Sequence, residues 1–455
     1  MKYLFFTAAM FAVLPGTAVL LCKRAWIRWA TLGLSVPLLL FDETAVNFFS
    51  RELYRGTARG MEISIIHIVA VIMLSALTIL KGPGKLFPDR GSRLYLCYFL
   101  CCLPSLRHAD DLLFSFFELW KMVMAYLVFL AVYRYLEFSR GDCDVILYGI
   151  AIVVAVNFIA VVIQHFRGIY QVRGLFPHQN SLAMYMLAAG LLFFGRWFNR
   201  VEPWRSWGFL GVFLMASVML VRTYSRGALV CYPAGGLVTL YWSIRRQFRA
   251  RMIFMMFGIG LIGLVGLLLF LPRIVERFEK APESSGETRR NLAVAAVNMM
   301  KDAPLTGVGI NNWGIKINPP YRYSRHREER HYKDDYKDGI VETIYLLVGA
   351  ECGIPCLLVL LGWFSYYWIA AFRLMKRLRG TPFFYLPAGM LGGMTGMFLQ
   401  SLLEWVLKQQ INFLLLMTLF AIISYWNKHG RELTASGSSG AVREGGGLRL
   451  RGAAA

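Results

Sequence analysis

Residues 145–166 read VILYGIAIVVAVNFIAVVIQHF, without one Asp, Glu, Lys or Arg. A helix of that length reaches across a hydrocarbon core of about 30 Å, in which only a helix or a closed barrel satisfies its own backbone. Moving outward from this run, further apolar stretches fall near residues 3–22, 27–41, 62–80, 94–106, 112–133, 181–198, 207–221, 227–244, 252–271, 343–372, 383–402 and 410–426. Those at 27–41 and 94–106 are short for a full crossing. The whole chain of 455 residues is 57% apolar and only 17% charged. A soluble domain carries about 25% charged residues, so an ordinary cytosolic enzyme is excluded. The expected fold is all-α and integral to the membrane, with about 12–13 transmembrane helices.

The net charge is +22. In so apolar a chain this points away from nucleic acid and toward two membrane explanations. Either cations in cytoplasmic loops hold the topology, or arginines gather around a phosphate-bearing ligand. The loops alternate in charge, with about 20 Lys and Arg on one set and about 9 on the other. The first set is therefore expected inside, the 272–342 loop outside and the C-terminal tail inside. Twelve crossings put the N-terminus inside and thirteen put it outside. The run Tyr3–Leu21 lacks a small-residue cleavage site and is read as a retained span. The domain reading is residues 1–271 for nine or ten helices, 272–342 for the loop, 343–427 for about three more helices, and 428–455 for a Gly/Ser/Ala-rich disordered tail. The eight cysteines, Cys22, Cys97, Cys101, Cys102, Cys143, Cys231, Cys352 and Cys356, lie in or beside apolar runs. They read as buried, reduced thiols.

On the outer side each arginine asks for a reason. Arg173 precedes Pro177-His178-Gln179-Asn180 and a membrane helix. An arginine beside a helix N-terminus is a ready anion site, and the same pattern also suits contact with lipid head groups. Arg222 and Arg226 bracket Thr223-Tyr224-Ser225, either on one helix face or in a tight turn. At the membrane boundary such charges cost about 2.5–3.5 kcal/mol each, which a diphosphate partner would offset. Snorkelling to lipid phosphate is the plainer alternative.

In the long loop, Leu292, Ala295, Ala296 and Met299 predict an amphipathic helix opened by Arg289 and Arg290. Gly307-Val308-Gly309 and the Asn311-Asn312 pair follow, suited to a turn or to hydrogen bonds with a sugar. His326 and His331 sit in a mixed-charge run without a third ligand in register, so no metal site is predicted. Glu342, at the entrance of the next helix, is either a favourable helix-end charge or a general base.

These pieces together resemble the O-antigen ligase and polymerase-like membrane glycosyltransferases. Arg173-Gly174-Leu175-Phe176 with His178-Gln179-Asn180-Ser181-Leu182-Ala183 is similar to the family's first arginine motif, and Arg222 to Ala228 to its second. Residues 290–312, RNLAVAAVNMMKDAPLTGVGINN, resemble its outer-loop pattern, and Tyr345-Leu346 with Glu351-Cys352-Gly353-Ile354 resembles the segment that closes it.

The resemblance implies a multi-pass enzyme of the bacterial inner membrane with its active site on the periplasmic side. Such an enzyme moves a glycan from a polyprenyl (undecaprenyl) diphosphate to an acceptor hydroxyl of a glycan or lipid A–core. It is expected to need no metal or other cofactor, because Arg173, Arg222 and Arg226 would neutralise the diphosphate. His178, Asn180, Arg289, Arg290, Asn311 and Asn312 are the expected substrate contacts. The family's ligases carry a histidine where this chain has Glu342, so Glu342 is expected to replace it as base, alongside Arg226 and Arg173 as catalytic groups. In the alternative readings His326 or His331 swings in, or the chain is a non-catalytic binder or transporter of lipid-linked oligosaccharide.

Overall fold

The structure is a computed structural model that describes residues 2–35, 45–50, 54, 56–198, 203–246, 283–324, 339–379 and 381–441. Its helices are α1 (Lys2–Phe11), α2 (Val13–Cys22), α3 (Trp26–Ser35), α4 (Ile65–Lys81), α5 (Arg90–Cys102), α6 (Leu112–Phe138), α7 (Asp144–Phe166) and α8 (Gln179–Trp197). They continue with α9 (Pro203–Arg222), α10 (Arg226–Arg246), α11 (Glu283–Asp302), α12 (Trp313–Lys316), α13 (Ile344–Arg377), α14 (Tyr385–Gln400) and α15 (Gln410–Ala441). One antiparallel hairpin, β1 (Val46–Ser50) and β2 (Gly60–Ile63), interrupts the helices between α3 and α4. The protein is an all-α, multi-pass membrane protein.

Among the described residues six helices are long and apolar enough to cross a membrane, namely α6, α7, α9, α10, α13 and α15. That is fewer than the twelve or thirteen read from the sequence. The apolar stretch 3–22 divides at Ala12 into α1 and α2, and α4 starts only after strand β2. The stretch 94–106 ends α5 at Cys102, after which Pro104 lies in a 3-10 turn. The stretch 252–271 lies outside the described residues.

Helix α8 is apolar because it is the centre of the bundle. All of its residues from Ser181 to Gly195 are buried. Glycines let its neighbours approach. A Cβ on Gly195 of α8 would stand 2.6 Å from the Gly389 Cα of α14, the small-residue packing used where lipid supplies no hydrophobic drive between helices.

The amphipathic loop helix forms as its spacing predicts. Leu292, Ala295, Ala296 and Met299 of α11 pack with Val308, Trp313, Ile317, Ile340 and Val341 in a core distinct from that of the bundle. Helix α11 starts at Glu283, so Arg289 and Arg290 sit in its second turn rather than at its opening. This small core is tied to the bundle by a break in α13. Gly353 there has φ +85° and Pro355 has no N–H to give, so the carbonyls of Ala350 and Glu351 lose their helical donors. Val308 N donates to Ala350 O at 2.9 Å and Gly309 N to Glu351 O at 3.0 Å, while Ile354 N turns to Pro304 O at 2.8 Å.

Helix α15 runs past Lys428 to Ala441, into the stretch read as tail. Trp426 Nε1 donates to Gly141 O at 3.0 Å, Arg377 donates to Asn427 O at 2.8 Å, and the His429 ring stacks on Tyr425. Residues 442–455 lie outside the described residues.

Gly307 has φ +70°, and an added Cβ would collide with the Glu351 carbonyl. Gly307→Ala is expected to cost at least about 2 kcal/mol and to lower the unfolding temperature in detergent. Gly286→Ala, on the same loop and facing open space, is the control and should be neutral or stabilising.

Candidate functional site

Beside Arg289, Glu342 meets a carboxylate that the sequence reading missed. Arg289 Nη2 of α11 lies 3.5 Å from Glu342 Oε2 and 3.7 Å from Glu404 Oε1. Glu404 comes from the segment between α14 and α15. Its side chain is 5% exposed against 36% for Glu342, so one carboxyl is sealed and the other open. The two carboxyls hydrogen-bond each other, and the Asn180 side chain at the start of α8 also bonds Glu404. Burial, then the neighbouring Glu342, pushes Glu404 up to about 8, with Arg289 and Asn180 pulling the other way. Two neighbouring carboxyls cannot both ionise cheaply, so Glu404 holds its proton at neutral pH.

Glu342 does not cap α13. The N-cap is Thr343, and Ser401 O accepts from both Ile344 N at 3.2 Å and Thr343 Oγ1 at 3.2 Å. The start of α10 packs on Glu404, since a Cβ on Gly227, the chain neighbour of Arg226, would lie 3.8 Å from Glu404 Cγ.

The Arg173 turn is built rather than slack. Gln164 Oε1 of α7 accepts from Arg173 N at 3.0 Å and Gly174 N at 2.9 Å, and the buried Asn157 accepts from Leu175 N at 3.0 Å. Gly174 needs its φ of +59° to make that bend. The Arg173 guanidinium stays exposed, with Nη1 donating to Pro177 O at 3.3 Å. His178 is the N-cap of α8, its Nδ1 accepting from Asn180 N. Burial, and then Arg173, lowers its pKa, so it sits there as a neutral ring.

Arg222 and Arg226 flank a tight turn, not one helix face. Tyr224 has φ +50° and stacks on Tyr170. The buried Arg222 donates to Tyr224 Oη at 3.0 Å and to His165 Nδ1 at 2.7 Å. This makes Arg222 a brace of the turn. Arg290 is exposed on α11.

Asn311 and Asn312 leave the set of sugar contacts. Both are fully buried, and their amides are spent on protein. Asn311 Oδ1 accepts from Thr57 N at 2.8 Å, and its Nδ2 donates to Ala58 O and Phe114 O, both at 2.8 Å. Asn312 Oδ1 accepts from Asp111 N at 3.0 Å, and its Nδ2 donates to Ser115 Oγ at 2.9 Å. They rivet the loop to the hairpin and to α6. His326 and His331 lie outside the described residues.

Beside these rivets stands a buried ion network whose Glu351 belongs to the motif that the sequence reading placed at the close of the loop. Glu118 pairs with Lys121 at 2.6 Å and with Lys408 at 3.2 Å, and Lys408 reaches Glu351 at 3.5 Å. Burial opposes the Lys408 charge, but Glu118 and Glu351 outweigh it and raise its pKa. Two acids and two lysines leave the cluster neutral, as a buried ionic group requires. The signal for it in the sequence was an ionisable residue within apolar surroundings, as at Phe116-Phe117-Glu118-Leu119-Trp120.

Among the described residues one group of side chains has the spacing to hold a metal. The sulfurs of the buried Cys102, Cys352 and Cys356 lie within 4.8 Å of one another. They are packed between α5 and α13, away from the paired carboxylates. Cys22 and Cys97 are exposed on their helices, unlike the buried thiols read from the sequence.

Residues 210–361 match the family model described as O-Antigen ligase. Over these residues, about a third of the chain, it is similar to the O-antigen ligases. The matched third contains Arg222, Arg226, Arg289 and Glu342, whereas Arg173, Asn180 and Glu404 lie beyond it. No curated protein matches the chain. With the apolar helices, the match supports a membrane enzyme that transfers glycosyl groups.

The raised pKa of Glu404 fixes the sign of a pH effect. Folding takes up a proton there, so its stabilisation is complete at acid pH and is lost as pH rises toward and through about 8. The wild-type unfolding temperature is expected to fall between pH 6 and pH 9. Glu404→Gln, which keeps a hydrogen bond without the charge, should flatten that slope in a thermal scan across pH.

Proposed function

We propose that this protein transfers a glycan from a polyprenyl diphosphate carrier to an acceptor hydroxyl at the periplasmic face. The observation that supports it most is the Glu342–Glu404 pair, with one open and one sealed carboxyl, beside Arg289 and the first turn of α10. The acceptor oxygen attacks the anomeric carbon of the donor sugar and forms the new glycosidic bond. The bond from that carbon to the diphosphate oxygen breaks, and its electron pair leaves with the diphosphate. Glu342, which solvent reaches, takes the acceptor proton. Glu404, protonated at neutral pH, donates to Glu342 and holds it in place beside Arg289.

Arg226 and Arg173 face the charge that grows on the leaving diphosphate. Arginine suits this work because its charge is permanent and its fork fits phosphate oxygens. His178, neutral, and Asn180 orient donor groups at the mouth of α8. Arg222 acts by bracing the turn that presents Arg226. Asn311 and Asn312 act by holding the loop, and with it Arg289, over the bundle. We also propose that residues 272–342 act as one outer unit over the membrane helices.

The test is transfer by purified protein in liposomes, with an undecaprenyl diphosphate oligosaccharide as donor. Arg226→Ala is expected to lose at least about 10²-fold in transfer while remaining folded. Glu342→Gln should lose about 10²–10⁴-fold, and Glu342→His should regain part of it with its activity following an imidazole. Lengthened glycan on the lipid identifies a polymerase, and transfer to added lipid A–core identifies a ligase. Wild-type turnover by Arg226→Ala would overturn the mechanism. Donor binding with no product from wild type would favour a carrier instead.

A further inference from the structure

A cavity of about 370 Å³ opens where α5, α13 and α15 meet. Tyr366, Ile369, Ala370 and Arg373 in its wall fall in the last turns of the 34-residue α13, so it lies at the end of that helix remote from Glu342. Arg90, the first residue of α5, and Asn427 of α15 complete the lining.

The walls are held in place. A Cβ on Gly91, the neighbour of Arg90, would stand 2.4 Å from Tyr367 Cζ and 2.7 Å from Tyr366 Cε1, so α5 starts directly on α13. Ser424 Oγ of α15 lies 3.1 Å from Tyr367 Oη and donates to Asp89 Oδ2 at 2.8 Å. That chain of hydrogen bonds joins the three segments around the cavity.

The cations near it divide by their partners. Lys376 Nζ lies over the Phe372 ring, Arg377 donates to Asn427 O at 2.8 Å, and Lys428 donates to Tyr133 Oη at 3.3 Å. Arg90 and Arg373, the two that line the cavity, are exposed and have no hydrogen bond or ion pair to a described residue through their side chains. Asp89, beside Arg90 in the chain, already accepts from Ser92 N at Oδ1 and from Ser424 at Oδ2. Among the described residues no acid lines the cavity.

Charge and depth together limit the ligand. Arg373 heads the run RLMKRLR at the end of an apolar helix, which places it at the level of lipid head groups. Ile369, one helical turn deeper on the same face, is an exposed apolar side chain. A ligand here meets two guanidiniums at one end and an apolar helix face at the other. A soluble anion would use only the first. A zwitterionic head group would carry its own cation into a positive field, whereas an anionic one would not.

We propose that this cavity is a binding site for an anionic phospholipid. Arg90 and Arg373 hold its phosphate, Asn427 faces its glycerol side, and its acyl chains run along the face of α13 that carries Ile369. The arginine fork fits phosphate oxygens and keeps its charge at every physiological pH. The lipid joins α5 to α13 from the membrane side. The site is separate from the carboxylate pair and does not depend on the transferase reading.

The test uses the full chain in detergent with added phosphatidylglycerol, cardiolipin or phosphatidylcholine, and with sodium phosphate as the soluble anion. Bound lipid is counted by native mass spectrometry, and the unfolding temperature is followed in a thermal scan. Phosphatidylglycerol or cardiolipin should bind and raise the unfolding temperature, and phosphatidylcholine should do so far less. Arg90→Ala combined with Arg373→Ala should weaken anionic-lipid binding at least about tenfold, through loss of charge-assisted hydrogen bonds. Arg373→Lys, which keeps the charge without the fork, should lose less. Arg379→Ala removes a charge from the same run outside the cavity and should bind as wild type does. Should the double variant not fold, Arg90→Gln and Arg373→Gln taken singly carry the same comparison.

Equal binding of phosphatidylcholine, or a loss in Arg379→Ala that matches the double variant, would mean general attraction to a positive surface and overturns the site. Anionic-lipid binding undiminished without the two arginines overturns it as well. Stabilisation by sodium phosphate alone that disappears with Arg90 and Arg373, with no added effect of lipid, would give the cavity to a soluble phosphate instead.

Discussion

The interruption of α13 at Gly353 and Pro355 is the constraint on which the outer end of the protein depends. A helix that breaks one turn inside a bundle leaves carbonyls without donors, and no water is at hand to supply them. Here the loop supplies them, through the amides of Val308 and Gly309. The exchange is reciprocal, since the loop's Pro304 carbonyl accepts from Ile354. A long polar segment is thereby fixed over the membrane helices by backbone bonds. Gly307 is required there because the approach leaves no room for a side chain.

The remaining polar contacts follow from that docking. Asn311 and Asn312 arrive where the hairpin and the start of α6 have amides and carbonyls to match, and they bind both sides of the junction. The neutral cluster of Glu118, Lys121, Lys408 and Glu351 joins α6, α13 and the segment before α15 at the same level. Buried charges of this kind add little net stability, but removing one partner is severe, so they specify one arrangement. With the loop so held, Arg289 projects from α11 onto Glu342 and Glu404. The site is a consequence of the docking rather than of any one motif.

The two carboxyls of the pair divide by burial: Glu342 is open to solvent, whereas Glu404 is sealed, and burial with the neighbouring Glu342 pushes its pKa up to about 8. The second carboxyl lies 62 positions further along the chain, after α13 and α14.

The sequence by itself determined the solvent of this protein and the sites of its arginines. Runs such as 145–166 admit only a helix in lipid, and the spacing of Leu292, Ala295, Ala296 and Met299 admits one amphipathic helix in the loop, because both readings rest on local periodicity. The motif around Arg173 was legible for the same reason, as a short, contiguous stretch, whereas Arg222 and Arg226 fitted one helix face as well as a turn. The partners of these stretches were not. Whether Asn311 faces a sugar or a backbone, whether Arg222 is a clamp or a brace, and which carboxyl stands beside Glu342 are questions about side chains far apart in the chain. Only the packing of α8, α10, α11 and α13 around one another brought Asn180, Arg226, Arg289 and Glu404 to the same place. The physical reason is that hydrogen bonds and ion pairs depend on distances of about 3–4 Å in space, which separation along the chain does not encode.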